Sequence, residues 1–153
     1  MARRPKLLSF FRIPLRLQWL ALEAGWQLVR ARIDTLGPAS SYTRHLGEMA
    51  READEPSPHA TPEQETTAVE IGAVVARAAP WMPFRALCLQ QALATRRMLR
   101  RRDVPAVVYL GLAVDPADRT SSQDPAHAWV QTGQLIVNGD GDLERFAVVG
   151  TFA

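Results

Sequence analysis

Of the chain's 153 residues only one, Cys88, is a cysteine, so no internal disulfide framework exists and a Cys-rich zinc site lacks its ligands. Aromatic residues make up 7% and no low-complexity tract or internal repeat interrupts the chain. Charge of one sign is also scarce. Eighteen basic against sixteen acidic side chains leave a net +2, too little to indicate a nucleic-acid partner by itself. Long uncharged runs are missing as well. Arg3, Arg4 and Lys6 precede an apolar stretch as in a signal peptide, but Arg12, Arg16 and Glu23 break it. No run reaches the roughly 18–20 residues that a membrane span requires. The expectation is a cytoplasmic chain without a membrane helix. What is present, 47% hydrophobic and 22% charged residues, is the composition of a folded soluble domain.

The first third reads as a helical arm, residues 1–50. Pro14 suits a first helical turn, and Gly37-Pro38 ends the helix near Leu36. Leu15, Trp19, Leu22, Trp26 and Val29 recur three and four residues apart, which puts them on one face. Two tryptophans on that stripe predict burial, with core packing the ordinary reason. Ser40 to Ala50 suggests a further short helix. Residues 51–61 are acidic and proline-bearing, with no apolar period, and read as a linker in which His59 is solvated.

Residues 62–153 carry sharper signals. Thr61-Pro62-Glu63-Gln64 is a capping box with proline at the first helical position. Ala68, Ile71, Val75 and Ala78 mark the apolar face behind it. Pro80 and Pro83 break the chain, and a second helix is expected to start between Arg85 and Cys88 and to run to about Arg102, with Leu89, Ala92 and Leu93 on its apolar side. Its end is basic. Arg96, Arg97, Arg100, Arg101 and Arg102 complement a helix C-terminus, and Arg100, Arg101 and Arg102 also suit an acidic docking partner. Beyond Pro105 the pattern turns to strands. These are Ala106–Val114, Ala126–Thr132, Gln134–Val137 with Gly133 at the turn, and Phe146–Phe152. Helices followed by hairpin-linked strands define an α+β domain with helices packed on an antiparallel sheet.

The candidate chemistry is nucleophilic. A helix start lowers a thiol's pKa and offers free N–H groups, and Cys88 stands at one. His127 opens a strand and shares a strand face with Trp129 and Gln131. Asp140 follows the partner strand, where a carboxylate can orient an imidazole. Nucleophile, base and orienting group are what cysteine-based acyl transfer requires. Asn138 and Asp142 are the alternative orienting groups, because a one-residue register change alters which side chain points inward. By residue type alone, a free cysteine near a helix start is more often a small buried hydrophobe.

The local strings add a resemblance. Cys88-Leu89-Gln90-Gln91-Ala92-Leu93-Ala94, the Met98–Ala106 segment, His127-Ala128-Trp129-Val130 and Val137-Asn138-Gly139-Asp140 resemble the transglutaminase-like, or papain-like, cysteine proteases. With the Trp-bearing arm and Pro80-Trp81 before the cysteine, the set looks like the B2-type leader peptidases of lasso-peptide biosynthesis. The resemblance implies an enzyme that removes the leader of a ribosomally made precursor with a Cys88-His127-Asp140 triad. It implies no cofactor and no metal. The implied partners are the precursor's leader region, a separate B1-type leader-recognition protein and an ATP-dependent lasso cyclase. It further implies a pocket near Cys88 for the leader's penultimate threonine. The Cys88 N–H is the expected oxyanion donor, with Gln91 and the Trp129 indole as possible helpers. Two other readings share these residues: a transglutaminase-like amidase or acyltransferase, and a binding module without catalysis.

Overall fold

The computed structural model describes residues 14–50, 59–117 and 125–153. The basic N-terminus, most of the acidic linker and most of the polar loop 115–125 lie outside the described residues. Helix α1 spans Leu15–Leu36, α2 Ala39–Leu46, α3 Pro62–Ala78 and α4 Cys88–Arg100. Strands β1 (Val107–Ala113), β2 (Ala126–Thr132), β3 (Leu135–Asn138) and β4 (Phe146–Phe152) form one antiparallel sheet in the order β3-β2-β1-β4. Among the described residues, no helix is long and apolar enough to cross a membrane.

The capping box at the start of α3 forms as its residue types dictate. Thr61 Oγ1 accepts from the Gln64 N–H at 3.3 Å, and Gln64 Oε1 accepts from the Thr61 N–H at 2.9 Å. Gln64 Nε2 also donates to the Asp103 carbonyl at 3.1 Å, so one side chain ties the start of α3 to the turn after α4. Pro80 closes α3 through a 3₁₀ turn at Ala79–Trp81.

The core is a single cluster. Leu20, Ala24, Leu28 and Ala31 of α1 join Leu46 of α2, Ala68, Ile71 and Val75 of α3, Leu93 and Met98 of α4, and Val108, Ala128 and Val130 of the sheet. Helix α1 therefore packs on α3 and α4 of its own chain. The ion pair of Asp34 with the buried Arg97 locks α1 to α4, and Glu23 pairs with Arg102 at 2.7 Å.

The tryptophan stripe does not face the core. Leu15, Trp19, Leu22 and Trp26 were expected to be buried, yet they face outward, with Val29 only half-buried. The helix carries two apolar faces. Leu20, Ala24, Leu28 and Ala31 are smaller on average, and two alanines let neighbouring helices approach closely, so this face wins the core.

Candidate active site

Cys88 is the first residue of α4 and is half-buried. Leu87, just before it, has no side-chain acceptor, so no side chain caps the helix from that position. Gln90 supplies the other half of a cap: its Oε1 accepts from the Leu87 N–H at 2.9 Å, while its Nε2 donates to Thr35 Oγ1 at 3.0 Å. Gln90 is buried, and it fixes the helix start against α1. The first N–H groups of α4, that of Cys88 included, have no acceptor within the helix, and they carry the positive end of its dipole. The site can therefore hold an oxyanion. Gln91 is not turned toward such an oxyanion; its Nε2 donates to the Ala86 carbonyl at 3.0 Å and shapes the turn before Cys88.

The thiol reaches β2 one residue before the histidine. Cys88 Sγ lies 4.0 Å from the Ala126 carbonyl oxygen. His127 follows, half-buried, on the strand face opposite Ala128 and Val130, which pack into the helical core. Its ring stacks on Phe146 of β4 (centroids 5.1 Å apart) and on Trp129 (6.1 Å), and Trp129 stacks in turn on Tyr109 of β1 (5.5 Å). Trp129 is thus mainly a wall of this aromatic layer, and Phe146 is a wall that the sequence reading missed.

His127 Nε2 lies 2.8 Å from the Gly139 carbonyl oxygen. A carbonyl only accepts, so Nε2 carries the proton and the neutral ring keeps its lone pair on Nδ1. The orienting group is a backbone atom one residue before Asp140. Asp140 itself is exposed, as is Asp142. Asn138 is buried and turns away, donating to the Gly72 carbonyl at 3.4 Å. Among the described residues, no hydrogen bond joins Cys88 to His127 or His127 to Asp140. Cys88 therefore lies against the residue before His127, and His127 bonds the residue before Asp140.

The arginines past Cys88 divide. Arg97 is buried on Asp34, Arg101 and Arg102 bond Glu23 of α1, and Arg100 is exposed. Arg96 donates to the Leu46 carbonyl at 3.2 Å, and burial, then the charge of Arg100, lowers its pKa. A cleft of about 300 Å³ lies between α1 and α3, lined by Arg16, Trp19, Glu70 and Arg102 among others, with none of the residues of the Cys88 site in its wall. No cluster of three metal-ligating side chains occurs among the described residues.

A helix-borne cysteine against an antiparallel sheet that carries a histidine and, on the next strand's end, a carboxylate is the architecture of papain-like cysteine enzymes. The profile of the Transglutaminase-like superfamily matches residues 35–151. The chain belongs to that superfamily, whose members are generally cysteine-based hydrolases and acyltransferases. No curated protein and no solved structure matches it.

Proposed function

We propose that the protein is a cysteine peptidase that removes the leader from a ribosomally made lasso-peptide precursor, with Cys88 as nucleophile, His127 as base and Asp140 as the carboxylate that supports the imidazolium. The observation that carries the chemistry is the bond from His127 Nε2–H to the Gly139 carbonyl, which leaves Nδ1 free to take a proton. The narrower assignment to leader removal rests on the resemblance of the Cys88, His127 and Asp140 segments to leader peptidases.

In this reading Nδ1 takes the thiol proton as Cys88 Sγ adds to the carbonyl carbon at the leader–core junction. Catalytic hydrogen bonds are often long in a substrate-free site and tighten once the substrate is bound, so the thiol and imidazole close on each other at that stage. The Cys88 N–H holds the oxyanion. Collapse breaks the C–N bond, and Nδ1–H gives its proton to the core peptide's new amine. Water then adds to the thioester with Nδ1 as base, releases the leader as a carboxylic acid and restores the thiol. The negative charge of Asp140, next to Gly139, favours the imidazolium in between. A leader-recognition protein of the B1 type brings the leader, and a cyclase consumes the freed amine.

The test is cleavage of a lasso-type precursor peptide, read by mass spectrometry with and without a leader-recognition protein. A single cut at the leader–core boundary that disappears in Cys88→Ala is the expected result. A folded protein that leaves the precursor intact with the recognition protein bound excludes the reading.

A further inference from the structure

The outward face of α1 is more regular than core packing alone accounts for. Leu15, Trp19, Leu22, Trp26, Val29, Ile33 and Leu36 follow one another at spacings of four and three throughout, the repeat of a helix–helix seam over three heptads. Six of the seven are between 58% and 73% exposed. At 1.5 Å per residue this ridge is about 33 Å long. An apolar patch of this extent on a soluble surface marks an interaction site. The seam is also narrow. Arg16, Glu23 and Arg30 flank it on one side, Gln18, Gly25 and Arg32 on the other. A single ridge so closely flanked fits another helix better than the wider apolar face with which helices lie in a lipid surface.

Charge chooses the occupant. Both carboxylates of α1 already bond arginines of their own domain, Glu23 to Arg101 and Arg102 and Asp34 to Arg97. Arg16 is satisfied by Glu70. Arg30 has no carboxylate partner among the described residues, and Arg32 lies over the Phe84 ring at 5.9 Å. The rim is therefore basic where it is unpaired. A second copy meets repulsion in one of its two antiparallel registers. Antiparallel pairing that seats Trp19 against Val29 of the other copy sets Arg16 beside that copy's Arg30, and parallel pairing stacks each tryptophan on itself.

We infer that α1 is a docking ridge for a partner protein's amphipathic helix, apolar along its own seam and acidic on its flanks. The mode is a helix laid along apolar anchors, with Trp19 and Trp26 as the largest of them. The segment that leads to the nucleophile packs beside the ridge. A methyl group of Met82 would lie 3.5 Å from a Cβ at Gly25, Phe84 packs under Arg32, and Cys88 follows Phe84 by four positions, at most about 14 Å of chain.

The experiment uses the full chain and two synthetic 21-residue heptad peptides with Ile and Leu along the seam, one with Glu at every flanking position and one with Lys. Like charges on its flanks keep each peptide from pairing with itself. Binding is measured by fluorescence anisotropy at low and at physiological salt, with phosphatidylglycerol vesicles and sedimentation of the protein alone alongside. The expected result is that the Glu peptide binds at least tenfold more tightly than the Lys peptide, that salt weakens it, and that Trp19→Ser with Trp26→Ser abolishes it. Arg30→Glu with Arg32→Glu reverses the preference. Equal or absent binding of both peptides overturns the inference. So does binding to vesicles without binding to the Glu peptide, or a dimer that Trp26→Ser dissociates. None of these readouts depends on peptide cleavage, so the leader-peptidase reading and this one stand or fall separately.

Discussion

At the residue scale the site turns on a backbone oxygen. Gly139 adopts φ +79°, a conformation that side chains other than glycine's rarely tolerate, and a Cβ there would come within 2.5 Å of the Ala128 carbonyl. The left-handed turn aims the Gly139 carbonyl at His127. Gly139→Ala is therefore expected to lower cleavage by at least a hundredfold, as a misaimed imidazole no longer offers Nδ1 to the thiol. Asp140→Asn removes only a nearby charge from an exposed position. It should lower kcat about tenfold and leave KM unchanged, a smaller loss than a directly bonded carboxylate would give. If Asp140→Asn were as inactive as Cys88→Ala, the carboxylate would have to bond the imidazole directly. The residue types of the site were readable in the sequence from the strings around Cys88 and His127. That a carbonyl holds the ring was not, since backbone groups carry no sequence signature.

At the scale of elements, close approaches decide more than propensities do. Gly72 stands inside α3, where alanine ordinarily gains about 1 kcal/mol over glycine. Here α3 crosses β3 so closely that an added Cβ would overlap the Val137 carbonyl. Gly72→Ala should destabilise the fold by about 3 kcal/mol or more, visible as a lower urea midpoint. His45, in the last turn of α2, has its pKa lowered, first by burial and then by the nearby Arg97. A histidine depressed in the folded state binds fewer protons there than in the unfolded chain, so stability is full above pH 6.5 and falls as the pH drops through that value. His45→Gln should flatten the loss of stability between pH 7 and pH 5.5 in urea titrations at stepped pH. Several element boundaries were legible because their signals are local: the Thr61 cap, Gly37-Pro38, and the limits of β2 and β4. The helical periodicity of α1 was legible too, but not which of its two apolar faces turns inward.

At the scale of the whole molecule, α1 is part of the core although the family match begins only at residue 35. Asp34 is the residue that fastens it. Asp34→Ala leaves the guanidinium of Arg97, 5% exposed, without its carboxylate, and removing one partner of a buried pair typically costs about 3–5 kcal/mol. Asp34→Ala is thus expected to lower the melting temperature by several degrees or more, and Arg97→Met in the same chain to recover part of it, because no charge is then left buried. A melting temperature unchanged in Asp34→Ala would show that the Asp34–Arg97 pair does not hold α1 in place.

The sequence by itself determined the kind and order of the main helices and strands, the absence of a disulfide framework and the residue types of the candidate site. Each follows from short-range rules of spacing, capping and turn chemistry that one segment of chain obeys alone. Only the tertiary structure decided that the tryptophan ridge looks outward, that Arg97 and Asp34 meet across sixty residues, and that Gly139 rather than a side chain holds His127. Those outcomes depend on which surfaces compete for the same core and how closely backbones approach, and no segment carries that information by itself.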